Sequence, residues 1–301
     1  MKYIMKKTGF IYIIAFLACI ATACSEDVLS DESVIKVAKY EENDFDRWLR
    51  VNFLTPYNID FIYRYEFIES DMNYYTVPAD MNSSIMMAHL VKYLCIESYD
   101  EVAGIAFTRT YFPKMFFLIG EFEYRNNGTM ILGTAEGGKK ILLSGLNYLP
   151  QMTNDIEMLN YYYIKTIHHE FVHILNQTCE YSADYQLITG SGYVADSWSE
   201  YPYNVGYLER GFISAYSQQS ADEDFAEVMS TYITNSEEWW ESQLAQAGPA
   251  GSTSLNKKLD IVRDYLKDEF DIDIDELRST LMRRQNDIAE GKIDLTSVEI
   301  K

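Results

Sequence analysis

A chain of 301 residues is long enough to bury a real core, as one large domain or two modest ones. An apolar share of 48% excludes a disordered protein, and 25 tyrosines suggest broad, partly wet contact surfaces. The formal net charge of −21 repels phosphate backbones and argues against nucleic acid as a partner.

The chain opens with an address. Met1 to Lys7 is basic, and Gly9 to Ile20 is an apolar stretch too short to span a bilayer comfortably. Ala21-Thr22-Ala23-Cys24 follows and resembles a bacterial lipobox, in which the cysteine is lipidated and becomes the mature N-terminus. Leucine is more usual than Ala21 at the first position, and Leu17-Ala18-Cys19 is a poorer second candidate. An ordinary signal peptide or a single anchor helix is the competing reading. Ser25-Glu26-Asp27 and Asp31-Glu32 resemble the acidic signal that sends lipoproteins of Bacteroidetes-type bacteria to the cell surface, and they equally suit a solvated linker. The expected layout is a signal peptide over residues 1–23, an acidic surface tether over 24–40, and one domain over 41–301 whose part from about 220 is helical. Cys95 and Cys179 remain in that body, too few for a disulfide framework; they can pair in an oxidising compartment, and each also sits in an apolar helical stretch where a free thiol packs well.

Within the domain, residues 44–54 and 83–97 carry helical patterns, and Ile59, Phe61, Tyr63, Tyr65 and Phe67 alternate as a strand would. Residues 115–124 and 129–134 flank Asn126-Asn127-Gly128, and 139–146 follows Glu136-Gly137-Gly138, which predicts hairpins. Asn154 with Glu157 resembles a capping box that opens a helix running to about Asn176. Residues 180–215 read as ordered loop, 222–235 as helix, and 253–290 as two more helices. Gly248 to Ser252 is the clearest internal break.

Of four histidines, three are His168, His169 and His173. In a chain this poor in histidine, a chance His-Glu-x-x-His is expected in well under ~1% of cases. Residues four apart on a helix project from one face, so the imidazoles of His169 and His173 can reach one ion. Ile164, Ile167, Phe171, Ile174 and Leu175 form the opposite, core-facing stripe. Glu170 lies on the flank of the metal face, able to reach a metal-bound water without being a ligand, whereas His168 points to the packed side. A catalytic zinc needs a third protein ligand, and no histidine remains downstream. Asp222-Glu223-Asp224-Phe225-Ala226-Glu227 is the best source. Glu223 and Glu227 share a face, so one can bind zinc while the other orients a ligand histidine. Glu223 is favoured, with Asp224 in reserve, and Ser220-Ala221-Asp222-Glu223 reads equally as a capping box.

His169 to His173 with a glutamate on a later helix resembles the gluzincin metallopeptidases, and Glu223 to Glu227 is similar to the Glu-x-Phe-Ala-Glu segment of lethal-factor-like zinc proteases. In the latter the first glutamate binds zinc, and a tyrosine seven residues earlier, here Tyr216, stabilises the transition state. Lys165 to Phe171, Gly211 to Tyr216 and the lipobox-like start also resemble the substrate-import-associated zinc metallohydrolase lipoproteins, which accompany starch-utilisation-type importers of gut bacteria. The resemblance implies a zincin-like α+β fold, with a small antiparallel or mixed sheet, an active-site helix and a helical C-terminal part. It also implies a peptide or protein substrate hydrolysed by a zinc-activated water, with Glu170 as base. The partners it implies are a TonB-dependent outer-membrane importer and its surface lipoproteins, reached from a lipid anchor on the outer face of the outer membrane. The rival is a glycan- or peptide-binding accessory with a structural or vestigial zinc site, in which Tyr181, Tyr185, Tyr193, Tyr201, Tyr203 and Tyr207 form a stacking platform. A closed four-ligand metal site would favour that rival.

Overall fold

The computed structural model describes residues 41–69, 73–74, 76–125, 128–136 and 139–300. Of two compact units, Met1–Glu41 and Glu42–Lys301, the first lies almost wholly outside those residues, and with it the predicted signal peptide, the tether and Cys24.

The second unit opens on helix α1 (Asp44–Leu49), where Asn43 and Asp46 cap each other reciprocally, and continues through the short α2 (Thr55–Tyr57) into strand β1 (Asp60–Ile62). Helices α3 (Met81–Leu90), α4 (Glu97–Ala103) and α5 (Ile105–Tyr111) follow. Strands β2 (Met115–Leu118), β3 (Glu123–Tyr124), β4 (Met130–Ile131), β5 (Gly133–Glu136) and β6 (Lys140–Leu143) come next. Helix α6 (Ile156–Leu159) passes through a π-wound segment, Asn160–Ile164, straight into α7 (Lys165–Thr178). A stretch of short helical turns containing α8 (Asp184–Ile188) leads to α9 (Ala221–Thr234), α10 (Glu237–Phe270) and α11 (Ile274–Ala289).

The main sheet is mixed, with strand order β1-β2-β6-β5. Strands β1, β2 and β6 are parallel, with Phe61, Phe116 and Ile141 in register across them, and β5 runs antiparallel to β6 along the edge. Phe116, Ile141 and Leu143 join the large core that includes Ile164, Ile167, Phe171 and Leu175 of the helical rod, while Phe117, Ile119 and Leu142 form a smaller apolar cluster. Phe171 sits at 4.8 Å from the Phe112 ring and 5.0 Å from that of Tyr99. A fully buried aromatic of this kind is worth about 3–5 kcal/mol when truncated to alanine, so Phe171 fixes α7 firmly against α4 and the end of α5. The fold is therefore α+β with a small mixed sheet, an active-site helix and a helical C-terminal part.

Several local expectations shift. The alternating run 59–67 pairs only over Asp60–Ile62, because Tyr63 and Arg64 leave the sheet to bond Asp46 of α1 at 2.8 and 2.7 Å. The apolar run 115–124 divides: β2 enters the sheet, and only Glu123–Tyr124 makes the hairpin with β4, whose tip residues Asn126 and Asn127 lie outside the described residues. The helix cap is Asp155 in place of Asn154, since the Asp155 carboxylate accepts the Met158 N–H at 3.0 Å. Gly248, at φ 66° and ψ −179°, leaves helical geometry, so the break expected there is present and divides α10 into two helical runs that meet at a kink. Cys95 and Cys179 are both free.

A buried ion pair ties α9 to α10. Lys258 and Asp224 are both fully buried, with Lys258 Nζ 2.5 Å from Asp224 Oδ2, donating to the Gly211 carbonyl at 2.7 Å and lying 4.1 Å from the Phe212 ring centroid. Deleting one member of such a pair strands the other charge in the interior. Lys258→Met should therefore cost about 3–5 kcal/mol in chemical denaturation. An effect below about 1 kcal/mol would mean that the pair carries little of the packing between these helices.

Candidate metal centre

The apolar stripe of α7 decides what its other face does. With Ile167, Phe171, Ile174 and Leu175 packed inward, His169 and His173 project one turn apart, their ring centroids 4.8 Å apart. Helix α9 packs across α7 and brings Glu223 onto them. Glu223 Oε2 lies 2.9 Å from His169 Nε2 and 3.3 Å from His173 Nε2, and the two Nε2 atoms are 3.1 Å apart. Ser220 does cap α9, accepting the Glu223 N–H at 3.2 Å, but with its hydroxyl, so the Glu223 carboxylate is free to face the histidines. Of the expected capping box only the Ser220 half forms, and the Glu223 side chain serves the histidines.

Two imidazole nitrogens and a carboxylate oxygen this close need a cation or a shared proton among them. Zinc bonds of about 2.0–2.2 Å in a tetrahedron set neighbouring donors about 3.3–3.5 Å apart, close to the spacings seen. Among the described residues this is the one such donor group, and it has three members, as catalytic zinc sites do.

The second nitrogen of His169 is held as well. Its Nδ1 lies 3.0 Å from Glu227 Oε1, and the buried Glu227 carboxylate also accepts Lys165 Nζ at 2.8 Å and Ser214 Oγ at 2.6 Å. That arrangement directs Nε2 toward Glu223 and His173. Burial works against charge on His169, yet its hydrogen bonds to Glu223 and Glu227 outweigh it and raise its pKa to about 10. Burial likewise opposes the Glu223 and Glu227 carboxylates. His169 and His173 on the first, and Lys165 and His169 on the second, nonetheless hold both well below the usual carboxylate range.

A cleft passes over these groups as two lobes of about 680 and 490 Å³, which share Arg125, Gly133, Glu170 and Tyr216. Glu170 thus sits at the middle of the cleft. The Tyr216 ring lies 5.9 Å from that of His169 and edge-on to Trp198 at 5.0 Å. Burial first, then the charges of Glu223 and Glu170, push its hydroxyl well above its ordinary pKa, so it keeps its proton and can donate.

Asp224 goes elsewhere: its carboxylate is engaged by Lys258 and by the Tyr193 hydroxyl at 3.0 Å. His168 is fully buried beside the Tyr99 hydroxyl at 3.1 Å, and burial lowers its pKa to about 3, as befits a core histidine. The tyrosines proposed as a platform scatter. Tyr185 is buried, Tyr181 donates to Asp222, and Tyr201 is 83% exposed. Sequence reasoning missed Lys165, Ser214, Trp198 and Arg125. Lys165 stands four residues before His169 on one helix face, a signal that was available; for Arg125 and Trp198 no local pattern exists.

A metal-binding helix packed under a small mixed sheet, with a glutamate from a later helix, defines a zincin-like zinc peptidase. The model of the family described as "Putative zinc-binding metallo-peptidase" matches residues 38–275, and the chain belongs to this family. It is also similar to a solved "putative zinc-binding metallo-peptidase" from Bacteroides caccae, at 39% identity over 89% of this chain and 100% of that one, with a TM-score of 0.74. A comparison with curated proteins finds no match.

Zinc takes neutral imidazole, so loading the metal must expel the proton that His169 otherwise holds up to about pH 10. Calorimetric zinc titration at pH 7 in buffers of different ionisation enthalpy should show about one proton released per zinc, with affinity falling as pH falls. His169→Ala should abolish both the uptake and the proton release. Unchanged zinc uptake in that variant would displace the site.

Proposed function

We propose that this chain is a surface-anchored zinc peptidase in which His169, His173 and Glu223 hold the metal. The convergence of two Nε2 atoms and one carboxylate oxygen at the middle of an open cleft, beside Glu170 and Tyr216, carries this reading. Zinc, when bound, supplies Lewis acidity that polarises the scissile carbonyl and acidifies water. Glu170 takes the proton of the attacking water and passes it to the leaving amine. Tyr216, held protonated, donates to the oxygen that becomes negative in the tetrahedral transition state. Glu227 fixes the tautomer and tilt of His169, with Lys165 and Ser214 supporting it from behind. The polypeptide backbone supplies the substrate amide, and β5, at the sheet edge, offers Gly133 and Thr134 along the cleft wall.

The remainder of the proposal concerns place. A basic start, an apolar stretch and Ala21-Thr22-Ala23-Cys24 support lipidation at Cys24, and the acidic residues after it support display on the outer face of the outer membrane. Service to a TonB-dependent nutrient importer and its companion lipoproteins rests on the resemblance carried by Lys165 to Phe171, Gly211 to Tyr216 and the lipobox-like start.

Glu170→Gln should keep zinc at the wild-type level and abolish peptide hydrolysis, because the side chain acts beside the metal. Tyr216→Phe should lower kcat by roughly 10²–10³ with little change in KM, as loss of an oxyanion donor does. Zinc loss in Glu170→Gln with an intact fold would make that residue a ligand and overturn its assignment as base. For the anchor, metabolic palmitate labelling should mark the protein and vanish in Cys24→Ala. A label lost only in Cys19→Ala would move processing to the upstream candidate.

A further inference from the structure

The cleft has two unlike halves laid along one helix. The active-site helix contributes Lys165, Thr166 and His169 to one lobe, His173, Asn176 and Gln177 to the other, and Glu170 to both. At 1.5 Å per residue, Lys165 to Gln177 spans roughly 18 Å, with Glu170 about 7.5 Å from one end and about 10 Å from the other. An extended peptide rises about 3.3 Å per residue, so the helix alone underlies roughly two residues on one side of Glu170 and three on the other. Each lobe is also large enough by itself for a drug-sized ligand, well beyond the single residue that an exopeptidase admits on its closed side.

The lobes differ in chemistry. The larger is polar, walled by Asn176, Gln177, Glu180, Gln186, Ser220 and Asp222. The smaller sets an apolar and aromatic wall of Met130, Leu132, Tyr161 and Trp198 alongside polar groups that include Lys165 and Asn204. Tyr161 is 64% exposed, an aromatic surface left uncovered beside a catalytic centre. Apolar surface continuous with the reacting groups is covered when a substrate side chain enters it.

From this we infer, resting on the peptidase reading above, that the enzyme is an endopeptidase that cuts internal bonds of extended chains. A large apolar or aromatic side chain on one fixed side of the cut seats in the Met130–Tyr161–Trp198 lobe, and a hydrogen-bonding side chain seats in the polar lobe. Peptide chemistry on both sides of the bond, and neither terminus, is what the cleft recognises.

The test uses the zinc-loaded mature protein and a peptide library in two forms, with free termini and with acetylated and amidated termini, read by mass spectrometry. Blocked peptides should be cut at least two residues from either end, with an apolar or aromatic residue always on the same side of the cut. Tyr161→Lys and Met130→Lys, made separately and checked for zinc content, should each lower kcat/KM for such peptides by roughly tenfold or more relative to peptides with a small residue there. Cleavage confined to free termini overturns the inference and leaves the peptidase reading standing. So does cleavage of blocked peptides with no side preference, or with a preference that neither variant alters. No cleavage of either library by zinc-loaded protein overturns the peptidase reading itself.

Discussion

The carboxylate of Glu227 is the point on which the centre depends. It is 3% exposed and takes hydrogen bonds or close contacts from Lys165 and His169 on α7 and from Ser214 on the segment before α9. A buried carboxylate is tolerable only when its lone pairs are met, and breaking one partner of such a pair costs about 3–5 kcal/mol. Three chain segments are thereby pinned around one anion. Glu223 lies one turn before Glu227 on the same face, so the contact that fixes Glu227 against α7 also sets the distance from Glu223 to the two histidines. Ser214 stands two residues before Tyr216, so the same anion restrains the phenol that faces the cleft.

Much of this centre was legible. The four-residue spacing of His169 and His173 and the apolar stripe behind them are local facts of one helix, and locality is what a sequence displays. Glu223 and Glu227 were readable for the same reason. The choice between Glu223 and Asp224 required more, since adjacent residues differ by about 100° around a helix and only the packing partner tells which way each looks. Lys258, 34 positions further on and buried against Asp224, is that partner. The capping alternative for Glu223 dissolved because the Ser220 hydroxyl and the Glu223 carboxylate do separate jobs.

What the sequence withheld is long-range pairing. Nothing in Asp60–Ile62 announces a parallel neighbour at Met115–Leu118, or that Lys140–Leu143 lies beside it while β5 takes the edge. Hairpins were visible from their turns, but the parallel strands meet across long connections, helical between β1 and β2 and made of β3, β4 and β5 between β2 and β6, and their register is set by burial. Arg125 and Trp198 enter the cleft from a hairpin and a loop far from the helix they face, so no spacing rule reaches them. The break at the Gly248–Pro249 pair was legible because its cause is local. Glycine and proline interrupt helical geometry, Gly248 leaves it, and buried residues on both sides, Ala247 and Leu255 among them, hold the two helical runs in place.

The π-wound segment Asn160–Ile164 immediately before the metal-binding helix has a consequence for how this family's chains can vary. A π turn holds one residue more than an α turn while leaving the helix on either side in phase. The Asp155 cap upstream and the histidine face downstream are therefore separated by a stretch whose winding can take up a one-residue difference in length without rotating either. A relative lacking one residue in this stretch, wound there as plain α-helix, would aim the same two imidazoles at the same point. One with a deletion inside residues 165–173 would swing them about 100° out of the cleft. Length variation is thus permitted on one side of Lys165 and forbidden on the other, a boundary that a chain's history should have respected.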